Sequence, residues 1–85
     1  MFYTYVLKSK TTGRLYIGQT NNLEVRLKRH NKNKVKSTKN RGPWELAYCE
    51  SYNTRSEAIR RERYFKSLKS NSAIEQIITD HISEH

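Results

Sequence analysis

Tyr5, Tyr16, Arg26, His30 and Glu62 are the side chains whose types and spacing could do chemistry together. A hairpin turn centred near Thr11 and Thr12 would set Leu7 across from Tyr16. Tyr5, two residues from Leu7, would then share a face with Tyr16 as its diagonal neighbour. A register one residue different would part them. Diagonal aromatic pairs also stabilise hairpins, and spacing alone favours that plainer role. Gly18 tilts the balance slightly, because a glycine inside a strand marks close approach by a ligand or another backbone. Arg26 and His30 are four apart on one helical face. Leu23 and Leu27 put Arg26 at the margin of the buried stripe, where its planar fork can grip a phosphate. Equally, the stem can lie along the core edge with the head solvated, and His30 can be a hydrogen-bonder near the helix end. Glu62 is the sharper anomaly. It falls four after Ala58, three after Ile59 and three before Phe65, a carboxylate inside an apolar stripe. Charges seldom sit there unless paired or bound to a metal. Lys66 at i+4 offers a plain partner. One carboxylate is also enough for Mg²⁺, which keeps its waters and takes other ligands from a substrate phosphate.

The elements that must carry these residues follow from pattern. Residues 2–8 are aromatic and β-branched and predict a strand with both faces covered. Lys10 to Arg14 is the turn, with Gly13 free to take positive φ. Leu15 to Gln19 is the returning strand of a hairpin. Asn21, with Glu24 three residues on, predicts a capped helix running to about Asn33. Residues 34–43 lack periodicity and predict a basic loop. Trp44 to Tyr52 is a third strand, with Trp44, Leu46 and Tyr48 on one face. Thr54 and Glu57 form a capping box for a helix to about Lys69, with Ala58, Ile59, Phe65 and Leu68 inward. Ser72 and Glu75 repeat the signal for a last helix carrying Ile74, Ile77, Ile78 and Ile82. The order ββαβαα predicts an α+β domain, a small three-stranded antiparallel sheet flanked by helices.

Length and composition bound the rest. Eighty-five residues, 1–85, make one small domain. Cys49, the single cysteine, fits a reducing compartment and a buried structural role. The N-terminus lacks a basic leader, and no apolar run reaches the length of a membrane span. A cytoplasmic location is expected. The net charge of +9 suits an anionic partner, with nucleic acid ahead of a membrane surface. Residues 24–43 hold eight basic side chains and one acid, Glu24. His81 and His85, four apart, are explained by favourable charge at a helix end.

These residues resemble a known family, the GIY-YIG nucleases. YTY at 3–5 stands where that family has its first tripeptide, and YIG at 16–18 is the second. QTNNLEVRLKRHN resembles the following cap, helix, arginine and histidine, and TRSEAIRRERYFK the segment with the metal-binding glutamate. The resemblance covers roughly residues 2–69. It is similar to small stand-alone bacterial members and, more distantly, to the N-terminal domain of an excinuclease. The first tripeptide lacks the glycine and isoleucine, and Gln19 stands near where some relatives have a lysine.

What the resemblance implies is a metal-dependent endonuclease hydrolysing phosphodiester bonds in DNA, with branched or damaged DNA as candidate substrates. Tyr5 and Tyr16 would be the motif tyrosines, one orienting or deprotonating the attacking water. Arg26 would stabilise charge on the scissile phosphate, and His30 would assist proton transfer or hold the nucleophile. Glu62 would bind a single divalent ion, Mg²⁺ or Mn²⁺. Lys28, Arg29, Lys32, Lys34, Lys36, Lys39 and Arg41 would bind nucleic-acid phosphates. A monomer is expected, with a protein partner as one source of substrate specificity. The alternative is a nucleic-acid-binding module with the nuclease fold and little or no cleavage of its own.

Overall fold

The computed structural model describes residues 1–83, and the backbone alone of Ile82 and Ser83. Strands β1 (Phe2–Ser9), β2 (Leu15–Thr20) and β3 (Trp44–Tyr52) and helices α1 (Leu23–Asn31), α2 (Arg55–Ser67) and α3 (Asn71–Ser83) follow the order ββαβαα. The sheet is antiparallel with strand order β2-β1-β3. As the central strand, β1 is buried on both faces, which explains why its apolar and aromatic side chains fall on both alternating sets. Val6 packs with Ile17, Phe65 and Ile74 on one face; Tyr5 and Leu7 pack with Trp44 on the other. Helices α2 and α3 cover the first face, and α1 covers the second through Leu23 and Leu27. Thr4 joins the sheet to α2: its buried hydroxyl donates to the Ala58 carbonyl at 2.7 Å.

The hairpin has the expected register, with Leu7 opposite Tyr16 and Gly13 at φ 74°. Its turn is held by Ser9, whose Oγ accepts from the backbone N–H of Thr11 and Thr12 and donates to the Arg41 carbonyl. This last bond ties the hairpin to the basic loop.

Several local expectations are corrected. Asn22, not Asn21, caps α1: its Oδ1 accepts from the Val25 N–H at 3.1 Å. The helix stops at Asn31, because Asn33 takes φ 60° and leaves the helical path. Helix α2 likewise ends at Ser67, ahead of Lys69 at φ 55°. Helix α3 begins at Asn71, and Ser70 supplies the cap bond to the Ala73 N–H, displacing Ser72 from that role. The stretch 34–43 is not wholly irregular, since a 3₁₀ turn spans Lys36–Thr38. The alternation in β3 also breaks. Leu46 pairs with Leu7 but Tyr48 with Val6, so Ala47 is an extra residue in a β-bulge. Trp44 therefore packs on the α1 face, while Tyr48 turns to the α2 face against Phe65.

Ile74, Ile77 and Ile78 cover the sheet as expected; the Ile82 side chain and His85 lie outside the described residues. The His81 ring stands edge-on to Tyr48 at 5.2 Å. Cys49 is half-buried beside Tyr5 and Leu7, and burial pushes its thiol pKa up. Among the described residues, no helix is long and apolar enough to cross a membrane.

Candidate active site

Tyr5 and Gly18 are directly opposed on β1 and β2, and both point to the α1 face. Having no side chain, Gly18 leaves room for the Tyr5 ring to cross over it toward the β2 edge. A Cβ built on Gly18 would fall 2.6 Å from Tyr5 Cζ and closer still to the hydroxyl. The glycine inside the strand is thus explained by a close approach, made by the neighbouring tyrosine. Gly18→Ala should cost about 1–3 kcal/mol of stability, because the ring it meets is buried and cannot swing aside freely. Chemical denaturation measures this; an unchanged midpoint would show that the ring has somewhere else to go.

The Tyr5 hydroxyl arrives between two side chains of α1. Arg26 Nε donates to it at 3.2 Å, and His30 Nε2 lies 3.0 Å away. The i, i+4 spacing of Arg26 and His30 makes this possible. The Tyr16 ring completes the group, with its centroid 4.8 Å from His30, 6.3 Å from Tyr5 and 6.5 Å from Trp44. The two tyrosines share one face, as the register required. Tyr5 is only 1 % exposed and His30 is fully buried, while Tyr16 and Arg26 are half-buried and reach the surface.

Burial sets the electrostatics of the inner pair. It pushes the Tyr5 phenol above its usual range, and the Arg26 hydrogen bond and charge offset this only in part. His30 is pushed down to about 4, first by burial and then by the charges of Arg26 and Arg29. The result is a neutral phenol beside a neutral imidazole at physiological pH. Arg26 is held more firmly charged, chiefly by its bond to Tyr5.

Thr38 was not anticipated. Its Oγ1 lies 2.7 Å from His30 Nδ1, and the residue is fully buried inside the basic loop. The Trp44 indole donates to its carbonyl at 3.2 Å, and Asn31 brackets the Trp44 backbone with bonds at 2.7 and 3.0 Å. The only hint in the sequence was a threonine among lysines, which pattern alone does not separate from solvated loop residues. Around it, Lys28, Arg29, Lys32, Lys34, Lys36, Lys39 and Arg41 are all exposed, on α1 and the loop. Lys28 is engaged with Glu24 at 3.3 Å.

Among the described residues, Glu62 makes no hydrogen bond or ion pair with this group. It lies on α2, partly buried, and its Oε2 accepts from Lys66 Nζ at 2.6 Å, the plain intrahelical pair that the i+4 spacing allows. Its charge nonetheless reaches Tyr5, whose pKa it helps to raise. Among the described residues, no three His, Cys, Asp or Glu side chains gather as a metal cage. A lone carboxylate fits an ion that retains water and completes its shell from a substrate phosphate, and does not fit a preformed structural site. On the other side of Tyr5 and Arg26, an apolar cleft of about 270 Å³ runs between α1 and the sheet, lined by Leu7, Leu23, Leu27 and Leu46.

Residues 1–75 match the GIY-YIG catalytic domain. The chain belongs to the GIY-YIG family. Among curated relatives it is similar to UPF0213 protein CPE1444 of Clostridium perfringens, 44 % identical over 85 residues, covering 99 % of this chain and 90 % of that one. It is also similar to UPF0213 protein YazA of Bacillus subtilis, 46 % identical over 67 residues, or 78 % of this chain and 67 % of that one. The solution NMR structure of UPF0213 protein BH0048 from Bacillus halodurans superposes with a TM-score of 0.58 at 34 % identity, covering 93 % of this chain and 84 % of that one. The matched GIY-YIG segment includes both tyrosines, Arg26, His30, Thr38 and Glu62.

Proposed function

We propose that this GIY-YIG domain binds nucleic acid, with DNA as the favoured partner, and hydrolyses a phosphodiester bond at the Tyr5–Tyr16–Arg26–His30 cluster. The observation that carries this reading is the convergence of a charged guanidinium, two phenols and a neutral imidazole on one sheet face beside an exposed basic loop. Arg26, firmly charged and half-exposed, grips the scissile phosphate and stabilises the charge that builds on it as water attacks. Tyr16, the more accessible phenol, orients the attacking water. Tyr5 is too deeply buried to meet substrate; it holds Arg26 in place and links it to His30, whose neutral ring accepts the Tyr5 hydrogen bond. Glu62 is the residue that would hold a divalent ion, Mg²⁺ or Mn²⁺, and such an ion supplies charge stabilisation to the leaving oxygen. The basic loop gathers backbone phosphates. The lone, half-buried Cys49 suits a reducing, cytoplasmic setting.

A second reading has its own observation. Glu62 is already engaged by Lys66, so a metal must compete with an ion pair. The domain would then bind nucleic acid without cutting it, or cut only when a protein partner supplies the substrate geometry. Incubation with labelled linear, nicked and branched DNA in Mg²⁺ or Mn²⁺ decides. Cleavage that disappears in Glu62→Ala is the expected outcome. Salt-sensitive binding with no cleavage supports the second reading, and cleavage undiminished in Glu62→Ala removes the metal role from that residue.

A further inference from the structure

We propose that Thr38 is a positioning residue that holds the His30 tautomer selected by Arg26 and Tyr5, accepting the Nδ1 proton so that Nε2 stays bare for the Tyr5 hydrogen bond. The hydrogen-bond directions require it. Arg26 has donors only, so at 3.2 Å the Tyr5 oxygen must accept from Nε. Among the described residues, the hydroxyl's other hydrogen-bond partner is His30 Nε2 at 3.0 Å, so the phenol proton points there. Nε2 then carries no hydrogen, and the ring proton sits on Nδ1. Thr38 Oγ1 accepts it at 2.7 Å and turns its own proton toward the Val35 carbonyl at 3.4 Å. The donations run one way, from Arg26 through Tyr5, His30 and Thr38 to Val35. The opposite tautomer would aim both Nε2–H and the Arg26 N–H at the Tyr5 oxygen and strand a buried phenol proton, which is costly. Which imidazole nitrogen carries the proton is set by the hydrogen bond that the other one makes. The neutral state of His30 is consistent with this arrangement.

Position gives the residue a second consequence. Thr38 is fully buried, while Lys36 and Lys39 on either side of it are exposed. Its backbone N–H donates to Val35 at 3.1 Å, and its carbonyl accepts from Arg41 at 3.2 Å and from Trp44 at 3.2 Å. One fixed turn therefore presents cations outward and a hydroxyl inward. Phosphate contacts on the loop and the proton acceptor in the site share a single scaffold.

The tautomer is read directly by two-bond ¹H–¹⁵N correlation spectra of the ¹⁵N-labelled protein near neutral pH, with no substrate and no metal. The expected pattern for His30 is a protonated Nδ1 and a bare Nε2. Thr38→Val, which keeps the shape and strands the Nδ1 proton, should weaken this preference and raise the share of the Nε2–H form, while Thr38→Ser should keep the native pattern. A wild-type ring protonated on Nε2, or a Thr38→Val ring unchanged from wild type, overturns the proposal. Should Thr38→Val fail to fold, the wild-type and Thr38→Ser spectra decide, since a Thr38→Ser ring that switches form overturns it too. The activity arm rests on the nuclease reading above. There, Thr38→Val should cut DNA about 10²-fold more slowly and Thr38→Ser close to wild type, as expected when the His30–Tyr5–Arg26 geometry that places the guanidinium is loosened. Absence of cleavage in every protein would count against the nuclease reading and leave the spectra to judge Thr38.

Discussion

Arg26→Lys should lower metal-dependent DNA cleavage by about 10²–10³-fold, and Arg26→Ala by at least as much, as for removal of one preorganised donor to a developing anion. The reasoning starts from geometry. Arg26 uses Nε to hold Tyr5 at 3.2 Å, which leaves the terminal nitrogens of the same planar group for a phosphate. A lysine keeps the charge and three donors on one nitrogen, but lacks the planar fork that holds Tyr5 through one edge and presents two parallel N–H groups to a phosphate. Two further readouts separate this role from simple structural support. The Arg26 charge helps to depress the His30 pKa, so in Arg26→Ala the imidazole should titrate above the value of about 4 by NMR. If the domain binds without cutting, Arg26→Ala should weaken binding across sequences and reduce the dependence of log K on log salt by about 1. Cleavage by Arg26→Lys at the wild-type rate would remove the guanidinium from the chemistry.

Much of this site is legible in the sequence. A hairpin fixes its register once the turn is placed, because glycine and small polar residues leave few positions for it; Tyr5 and Tyr16 on one face then follow from strand alternation. Arg26 and His30 follow as simply from helical spacing. What escapes has physical reasons. The bulge at Ala47 inserts one residue into β3, and a small residue that packs on the α2 face leaves no mark in the apolar pattern. A regular strand there would put Tyr48 on the wrong face. Thr38 escapes because its burial is decided by Trp44 and His30, which approach it from other elements. Glu62 is conspicuous from its position in the stripe, but whether its carboxylate turns to Lys66 or to the tyrosines is a rotamer choice that periodicity does not encode.

The charge state of the inner pair is also hidden from the sequence. A base role for either tyrosine needs positive charge nearby. Arg26 supplies that charge to Tyr5, yet burial outweighs it and the phenol holds its proton more tightly than in water. The imidazole behind it, held neutral, serves Tyr5 as a hydrogen-bond acceptor.

That shift makes folding stability depend on pH in a way that can be measured without substrate. His30 has a pKa of about 4 in the folded protein, against 6.5 for an unperturbed histidine. Between these values the unfolded chain takes up a proton that the folded chain refuses, so stability must fall as pH falls. The contribution is fully present above about pH 6.5, declines through the window and is lost below about 4. It amounts to roughly 3 kcal/mol at 1.36 kcal/mol per unit. Urea unfolding at steps from pH 7 to 5 should show the wild-type midpoint dropping steadily, while His30→Gln, weaker at pH 7, should change much less. Glu50 cannot be the source of the upper part of that slope. Its carboxylate accepts from Arg61, Tyr48 and Tyr52 and is held below its ordinary range near 4.5, so its contribution is lost only as pH falls through that lower region. Parallel slopes for the two proteins would mean that His30 is charged in the fold. The Tyr5 proton would then have no acceptor there, and the one-way line of hydrogen bonds would fail with it. If the slopes diverge as expected, His30 is still neutral at pH 5. An acid-side loss of cleavage would then be traced to unfolding, because the imidazole keeps its lone pair through the whole of that range.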